Sequence, residues 1–293
     1  MTEPTARGNP RSIAAYYDQT WMDYRMLWLN PANRALHFGY WDASTRNHSD
    51  SLLNMNRVLS SHARPKAGQL VLDAGCGVGG TAMWMVENHG VRAMGITVTP
   101  SQVTRARRYA AERGLGAGAL FSVQDYCHIA LPDDTFDIVY GLESVNYAPD
   151  KRRFIAEAFR VLKPGGRFVV QDGFRSDRKL SGQEERLQES WLAGWLVPNL
   201  SVRQEFAAQA KEAGFVDVED YDCTENVRRS CRRLYRVTMA CLPGAIALRK
   251  LGLRTQVQHA NVIAARDQWR ALQKGLWGYG IVAGNKPTQG AKT

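Results

Sequence analysis

The chain has 293 residues with 38 Lys or Arg and 28 Asp or Glu, a formal net charge of +10, and its 44% hydrophobic content is ordinary for a soluble globular protein. The five cysteines form no Cys-x-x-Cys pair, so neither a disulfide framework nor a zinc site is indicated. The N-terminus lacks an apolar run and no stretch approaches the roughly 18 apolar residues of a membrane span, so a cytoplasmic protein is expected.

The N-terminal region, residues 1–65, is predicted to form a helical lid. Apolar residues recur at helical spacing over 11–29 and again over 51–62. Between these two segments lies the sequence LHFGYWD at 36–42, in which Tyr40 and Trp41 supply large ring faces.

Residues 66–175 alternate short apolar runs with helical patterns, which is typical of a parallel sheet. Strands are predicted at 69–74, 91–96, 119–123, 136–141 and 167–171. A glycine-rich loop at 75–80 follows the first strand directly and lets a ligand approach bare backbone. Asp73 precedes this loop, and the second strand ends in Thr97 instead of the acid that an NAD-binding fold needs for its ribose.

Five ordered motifs in this region resemble the class I S-adenosylmethionine-dependent methyltransferases. They are LDAGCGVGG (72–80), GITVTPSQ (95–102), QDY (124–126), DDTFDIVYGLES (133–144) and LKPGGRF (162–168). LHFGYWD and the GIT-x-x-x-x-Q pattern are similar, more narrowly, to the branch with tocopherol-type, sterol-type and cyclopropane-type C-methyltransferases, which sugar O-methyltransferases share. The resemblance implies a Rossmann-like α/β fold, with a seven-stranded, mostly parallel sheet, helices on both faces and a helical cap.

The same resemblance implies S-adenosylmethionine as the cofactor and assigns residues to it. Those expected at its methionine and ribose ends are Asp73, Gly75, Gly77, Thr97 and Gln102. Asp125 and Tyr126 are expected to bracket the adenine, and Tyr16 or Tyr17 to close over the carboxylate.

The loop after the fourth strand bears on the reaction. Many relatives carry one or two histidines where this chain has Asn146-Tyr147, so the usual base for O-methylation is missing. Glu143 remains at the carboxyl end of the strand and, with Asn146 nearby, is a candidate catalytic residue. An alkene acceptor becomes a carbocation on methylation, which calls for ring faces or negative charge and then a base.

Residues 176–293 are predicted to add cap helices at 183–196, 201–213, 225–242 and 257–274 and closing strands at 215–221 and 279–283, all within one structural domain. Pro243-Gly244 is expected to end the third of these helices.

Residues 225–254 hold eight cations and one acid, and Arg228, Arg232 and Arg236 share one helical stripe. Guanidinium groups match phosphate oxygens, so this stripe is a candidate diphosphate site, with a solvated face as the alternative.

These observations predict C-methylation of the alkene of a prenyl diphosphate or related terpenoid in natural-product biosynthesis, through a carbocation and its deprotonation. The aromatic residues expected around the alkene are Tyr40, Trp41, Trp191, Trp195 and Tyr279. No resident metal is expected, although Mg²⁺ could accompany a diphosphate substrate, and a homo-oligomer is left open.

The alternative is N- or O-methylation of a cyclic natural product, which shares every cofactor motif. Binding of nucleic acid is disfavoured because the basic residues concentrate in one helix. That helix could instead lie on an anionic membrane surface.

Overall fold

Residues 7–27 and 33–288 are described by a computed structural model. Seven strands form one sheet in the order β3-β2-β1-β4-β5-β7-β6. The strands are β1 Leu70–Ala74, β2 Arg92–Thr97, β3 Ala119–Val123, β4 Phe136–Leu142, β5 Leu162–Arg175, β6 Val216–Asp222 and β7 Trp277–Asn285. β1 to β5 are parallel, and β7 runs antiparallel to both β5 and β6. The predicted α/β fold class is therefore confirmed.

Nine α-helices occur in the described ranges. They are α1 Pro10–Leu27, α2 His48–Ala63, α3 Gly80–His89, α4 Pro100–Glu112, α5 Lys151–Val161, α6 Gly182–Gly194, α7 Arg203–Glu212, α8 Thr224–Lys250 and α9 Gln256–Gln273. Two of these helices begin at capping boxes, in which Ser181 caps α6 and Thr255 caps α9. Residues 28 and 29 of the predicted first helix lie outside the described residues.

The register of the central strands aligns polar residues at one edge of the sheet. Asp73 on β1 pairs with Gly95 on β2 and Tyr140 on β4, and Leu142 pairs with Gln171 on β5. The strand order reverses between β1 and β4, and ligands of open parallel sheets bind at such a switch point. The residues that follow β1, β2 and β4 therefore converge on one crevice.

Two predicted boundaries were wrong. α8 continues through Pro243-Gly244 to Lys250. Proline removes one helical hydrogen bond, but this stretch of α8 is exposed, so water can bond the carbonyl left without a partner. β5 begins at Leu162, before the expected start at 167, because Leu162 already pairs with Phe136 of β4.

No helix within the described ranges is both long enough and apolar enough to cross a bilayer. The amphipathic helices instead cover the sheet. On one face, Phe168 of β5 stacks on Phe206 and Phe215, with ring centroids 6.5 and 4.7 Å away, and packs beside Phe154. All four rings are buried, so this cluster ties α5 and α7 to the sheet.

Replacing Phe168 by Ala is expected to lower the free energy of unfolding by about 3–5 kcal/mol, because the ring is fully buried and leaves a cavity. Urea denaturation measures the change. The matched control is Leu120→Ala on β3, where the side chain is 58% exposed and the expected change is within about 0.5 kcal/mol. Equal effects for the two substitutions would contradict the packing described.

Candidate active site

Two adjoining cavities lie at the carboxyl edge of the sheet. The first, of about 340 Å³, is bounded by the loops after β1, β2, β3 and β4. The second, of about 110 Å³, lies between the ends of β4, β5 and β7 and the helices α1, α6, α8 and α9. Tyr17, Leu36, Glu143 and Tyr147 line both cavities and so form their common wall.

The glycine-rich loop forms one side of the first cavity. Gly75 and Gly77 line it with φ angles of +90° and +52°, a region that side chains disfavour. A Cβ atom on Gly75 would lie 2.3 Å from the Cβ atom of Ser144, so no side chain fits there. The loop therefore presents bare backbone to the cavity, as the sequence predicted.

Three polar residues that the sequence analysis assigned to the cofactor line the same cavity. Asp73 is buried at the end of β1, and burial raises the pKa of its carboxyl to about 7. Thr97 donates its hydroxyl proton to the Oε1 atom of Gln102 at 2.8 Å, which fixes both side chains after β2. All three line the first cavity.

Asp125 and Tyr126 line the first cavity beyond β3. The Oδ1 atom of Asp125 accepts a hydrogen bond from the backbone N–H of Cys127 at 2.8 Å. The Tyr126 hydroxyl donates to the carbonyl of Ser144 at 2.7 Å, which fixes the ring against the loop after β4. Both side chains are therefore held at the edge of the first cavity, and their expected contact with adenine stays a prediction.

His37 lies in the lining of the first cavity and was not predicted, although the LHFGYWD motif contained it. Its Nδ1 atom is 2.8 Å from the carbonyl oxygen of Phe38. Burial lowers the pKa of the ring to about 4, so the imidazole is neutral and Nδ1 is assigned the proton. The buried Nε2 atom has no hydrogen-bond partner among the described residues, which leaves an acceptor for a ligand.

Tyr16 and Tyr17 are neighbours in the sequence but lie in different surroundings. Tyr17 lines both cavities, and its hydroxyl donates to that of Tyr147 at 3.1 Å. Tyr16 lines neither cavity, because its hydroxyl donates to Asn261 of α9 at 2.8 Å and its ring is buried between α1 and α9. Of the pair, the structure brings only Tyr17 to the site.

Glu143 lies in the wall between the cavities. Its φ of +50° is rare outside glycine and occurs where β4 ends. Its Oε1 atom accepts two hydrogen bonds at 2.9 Å, from the backbone N–H of Phe38 and from the hydroxyl of Tyr279. Burial, and then the charge of Asp172, raise the pKa of this carboxyl to about 8.

Asp172 of β5 is the second carboxylate in the wall of the second cavity, and sequence reasoning missed it. Asn146 donates to it from its backbone N–H at 3.1 Å and from its side-chain amide at 2.6 Å. Burial raises its pKa to about 6 despite these donors. Its position after the apolar run of the fifth strand could have identified it, because Glu143 follows the neighbouring strand.

Eight aromatic rings line the second cavity. They belong to Tyr17, Tyr24, Phe38, Tyr147, Trp191, Trp195, Trp277 and Tyr279. The carboxylates in the lining are those of Asp23, Glu143 and Asp172, and the lining contains no Lys, Arg or His among the described residues. Ring faces and carboxylates together stabilise positive charge.

Other predicted residues lie elsewhere. Tyr40 and Trp41 line neither cavity, and the guanidinium of Arg229 lies 3.9 Å above the Trp41 ring. Arg228 pairs with Glu225, while Arg232 and Arg236 are exposed to solvent. α8 instead turns Leu234 and Thr238 toward the second cavity, so the arginine stripe does not reach it.

Comparisons with known proteins agree with this geometry. A methyltransferase domain family matches residues 72–170. The 27-O-demethylrifamycin SV methyltransferase of Amycolatopsis mediterranei is 31% identical over 232 residues, which cover 78% of this chain and 81% of that relative.

Two solved structures share the fold over nearly the whole chain. The (4+2)-cyclase SpnF has a TM-score of 0.79 at 23% identity, over 96% of this chain and 97% of that one. The geranyl diphosphate C-methyltransferase of Streptomyces coelicolor A3(2) has a TM-score of 0.73 at 19% identity, over 94% of this chain and 97% of that one. At these identities the likeness shows the fold alone.

The raised pKa of Glu143 predicts how stability depends on pH. The folded protein favours the neutral carboxyl, so this contribution is complete below about pH 4.5 and is lost as pH rises through about 8. Glu143→Gln is therefore expected to reduce the loss of unfolding free energy between pH 5 and pH 9 by more than about 1 kcal/mol. Urea denaturation at both pH values measures it, with exposed Glu205→Gln as the control. An identical pH dependence in both variants would contradict the burial of Glu143.

Proposed function

This chain belongs to the class I S-adenosylmethionine-dependent methyltransferases, and we propose that it transfers a methyl group to the alkene of an isoprenoid, a prenyl diphosphate or related terpenoid. The observation that carries the proposal is the lining of the second cavity, which combines eight aromatic rings with three carboxylates. Such a lining suits a hydrocarbon that becomes a cation during the reaction.

The first cavity fits S-adenosylmethionine, which when bound supplies an electrophilic methyl group. The bare backbone at Gly75 and Gly77 admits close approach of the cofactor, and the unpartnered Nε2 atom of His37 offers it a hydrogen-bond acceptor. Asp73, Thr97, Gln102, Asp125 and Tyr126 hold the rest of the cofactor in the order that the resemblance implies. Tyr17 lies between cofactor and acceptor, because it lines both cavities.

In the proposed reaction, the electron pair of the alkene forms the new carbon–carbon bond as the bond from methyl carbon to sulfur breaks. The acceptor is left as a tertiary cation beside the rings of Trp191, Trp195 and Tyr279. Glu143 then removes a proton from a neighbouring carbon, which restores a double bond and leaves a product one CH₂ unit heavier. A carboxyl with a pKa near 8 accepts this proton in its ionised form, which becomes the main form as pH approaches 8.

The head group of the acceptor lies outside the second cavity in this proposal. No cationic side chain of the described residues lines that cavity, and Arg228, Arg232 and Arg236 lie away from it. The cavity therefore takes the hydrocarbon part of the isoprenoid. A diphosphate would extend to solvent and carry its own Mg²⁺, an ion that is present in the structure of the Streptomyces enzyme.

N- or O-methylation of a cyclic natural product is the second candidate. Asp172 and the ring faces would also stabilise the ammonium group that forms when an amine is methylated. The relative from Amycolatopsis mediterranei is named a 27-O-demethylrifamycin SV methyltransferase, and that name favours an oxygen acceptor. The two candidates differ only in the acceptor.

The deciding experiment is an acceptor panel. The protein is incubated with S-adenosylmethionine and with prenyl diphosphates, the matching alcohols, terpenoid hydrocarbons, amines and phenols, each with and without Mg²⁺. We expect a product 14 Da heavier from an isoprenoid, with the new methyl on carbon by NMR. Methylation of amines or phenols alone would replace the alkene proposal by the second candidate.

Glu143→Gln is expected to lower kcat on the isoprenoid by at least about 100-fold, because the amide cannot accept the proton. Affinity for S-adenosylhomocysteine, measured by calorimetry, stays near that of the wild type. The wild-type kcat/KM should rise with pH toward about 8, since the carboxylate is the active form. Exposed Glu205→Gln is the control. Turnover near the wild-type rate in Glu143→Gln would refute the assignment of the base.

A further inference from the structure

α8 presents one continuous exposed face along its length of about 40 Å. At 100° per residue, the exposed positions 229, 232, 233, 236, 240, 247 and 250 fall within an arc of about 100°. The first four are arginines, and the later ones are Ala240, Ala247 and Lys250. The face is therefore basic in its first half and largely apolar toward its end.

Large apolar side chains are exposed where this face ends. Leu251 and Leu253 are 71% and 72% exposed, and Met26 at the end of α1 is 77% exposed. The ion pair between Arg254 and Asp23, at 2.6 Å, holds these two parts of the chain side by side. We call Met22, Met26, Leu251, Leu253 and the outward face of α8 the α8 surface.

Glu225 lies within the same arc and pairs with Arg228, and every later charge on this surface is positive. α8 contains no acid after Glu225, and the nearby cations make no ion pair within the described ranges. These cations are Arg25, Arg229, Arg232, Arg233, Arg236, Arg249 and Lys250. Unpaired cations beside exposed leucine and methionine side chains match a surface that offers phosphate groups above hydrocarbon.

The α8 surface also adjoins the second cavity. Asp23, which anchors Arg254, lines that cavity, and α8 contributes Leu234 and Thr238 to it from its inner side. A second copy of the chain is a poorer occupant, because a twofold contact through this surface would set cations against cations. An anionic bilayer complements both its charge and its apolar end.

We propose that the α8 surface docks the protein on anionic lipid bilayers, with the side chains of Leu251, Leu253 and Met26 in the head-group layer. The arginines of α8 lie against the lipid phosphates. Docking goes beyond the proposed methyl transfer and needs no acceptor, so it is tested by binding alone.

Flotation of the full chain with vesicles tests the proposal. We expect binding to vesicles of phosphatidylcholine with 30% phosphatidylglycerol, about tenfold or more weaker binding to phosphatidylcholine alone, and release in 1 M salt, where charges are screened beyond about 3 Å. Equal binding to both vesicles, or none to the anionic ones, would overturn the proposal.

Two double variants distinguish vesicle binding through the α8 surface from nonspecific binding through any exposed apolar side chain. Leu251→Ser/Leu253→Ser is expected to weaken binding to anionic vesicles at least about tenfold. The matched control is Leu120→Ser/Val123→Ser on the far edge strand β3, where the side chains are 58% and 51% exposed, and it should bind as the wild type does.

Light scattering after gel filtration tests whether a second copy of the chain, and not a bilayer, covers the α8 surface. A wild-type dimer that the Leu251→Ser/Leu253→Ser variant converts to monomer, without vesicle binding, would assign the surface to a second copy and overturn the lipid proposal. Circular dichroism of each variant confirms that it is folded. Since no acceptor is present, a negative result leaves the methyl-transfer proposal to its own assay.

Discussion

The hydrogen bonds to one carboxyl group connect the parts of this protein that form its site. Glu143 stands at the end of β4 with a positive φ, and its Oε1 atom accepts from the backbone of Phe38 and from the hydroxyl of Tyr279. These donors come from the N-terminal segment and from β7, far apart in sequence. Because the group is buried, these donors partly offset the cost of its charge.

This arrangement places a buried carboxyl group between two cavities of different character. The first is bounded by polar side chains and glycine backbone, and the second by rings and carboxylates. Asp172 on β5 adds a second carboxyl group to this wall, since its charge raises the pKa of Glu143 and it lines the second cavity. Positive charge that forms in that cavity would be stabilised on several sides, which is why the wall fits a carbocation or an ammonium group.

The fold and the first cavity could be predicted well because their determinants are local. Short continuous apolar runs predicted the buried strands. The turn at Gly75 and Gly77 follows the first strand directly, so neighbouring residues in the sequence determine its position. α8 was predicted too short because Pro243 normally ends a helix, whereas solvent around this stretch tolerates the lost bond. Its arginine stripe kept its helical spacing but not its expected direction, since Leu234 and Thr238 face inward instead.

By itself, the sequence determined the Rossmann-like methyltransferase fold and several residues that line the first cavity. It also identified Glu143 as a candidate catalytic residue, because ordered motifs and strand ends carry that information. Only the tertiary structure decided which aromatic residues meet. Tyr17, Tyr24 and Trp277 join Trp191 and Trp195 around one cavity, while Tyr40 and Trp41 lie outside it. The physical reason is that side-chain direction on packed helices depends on burial against partners hundreds of residues away, as the contact of Tyr16 with Asn261 illustrates.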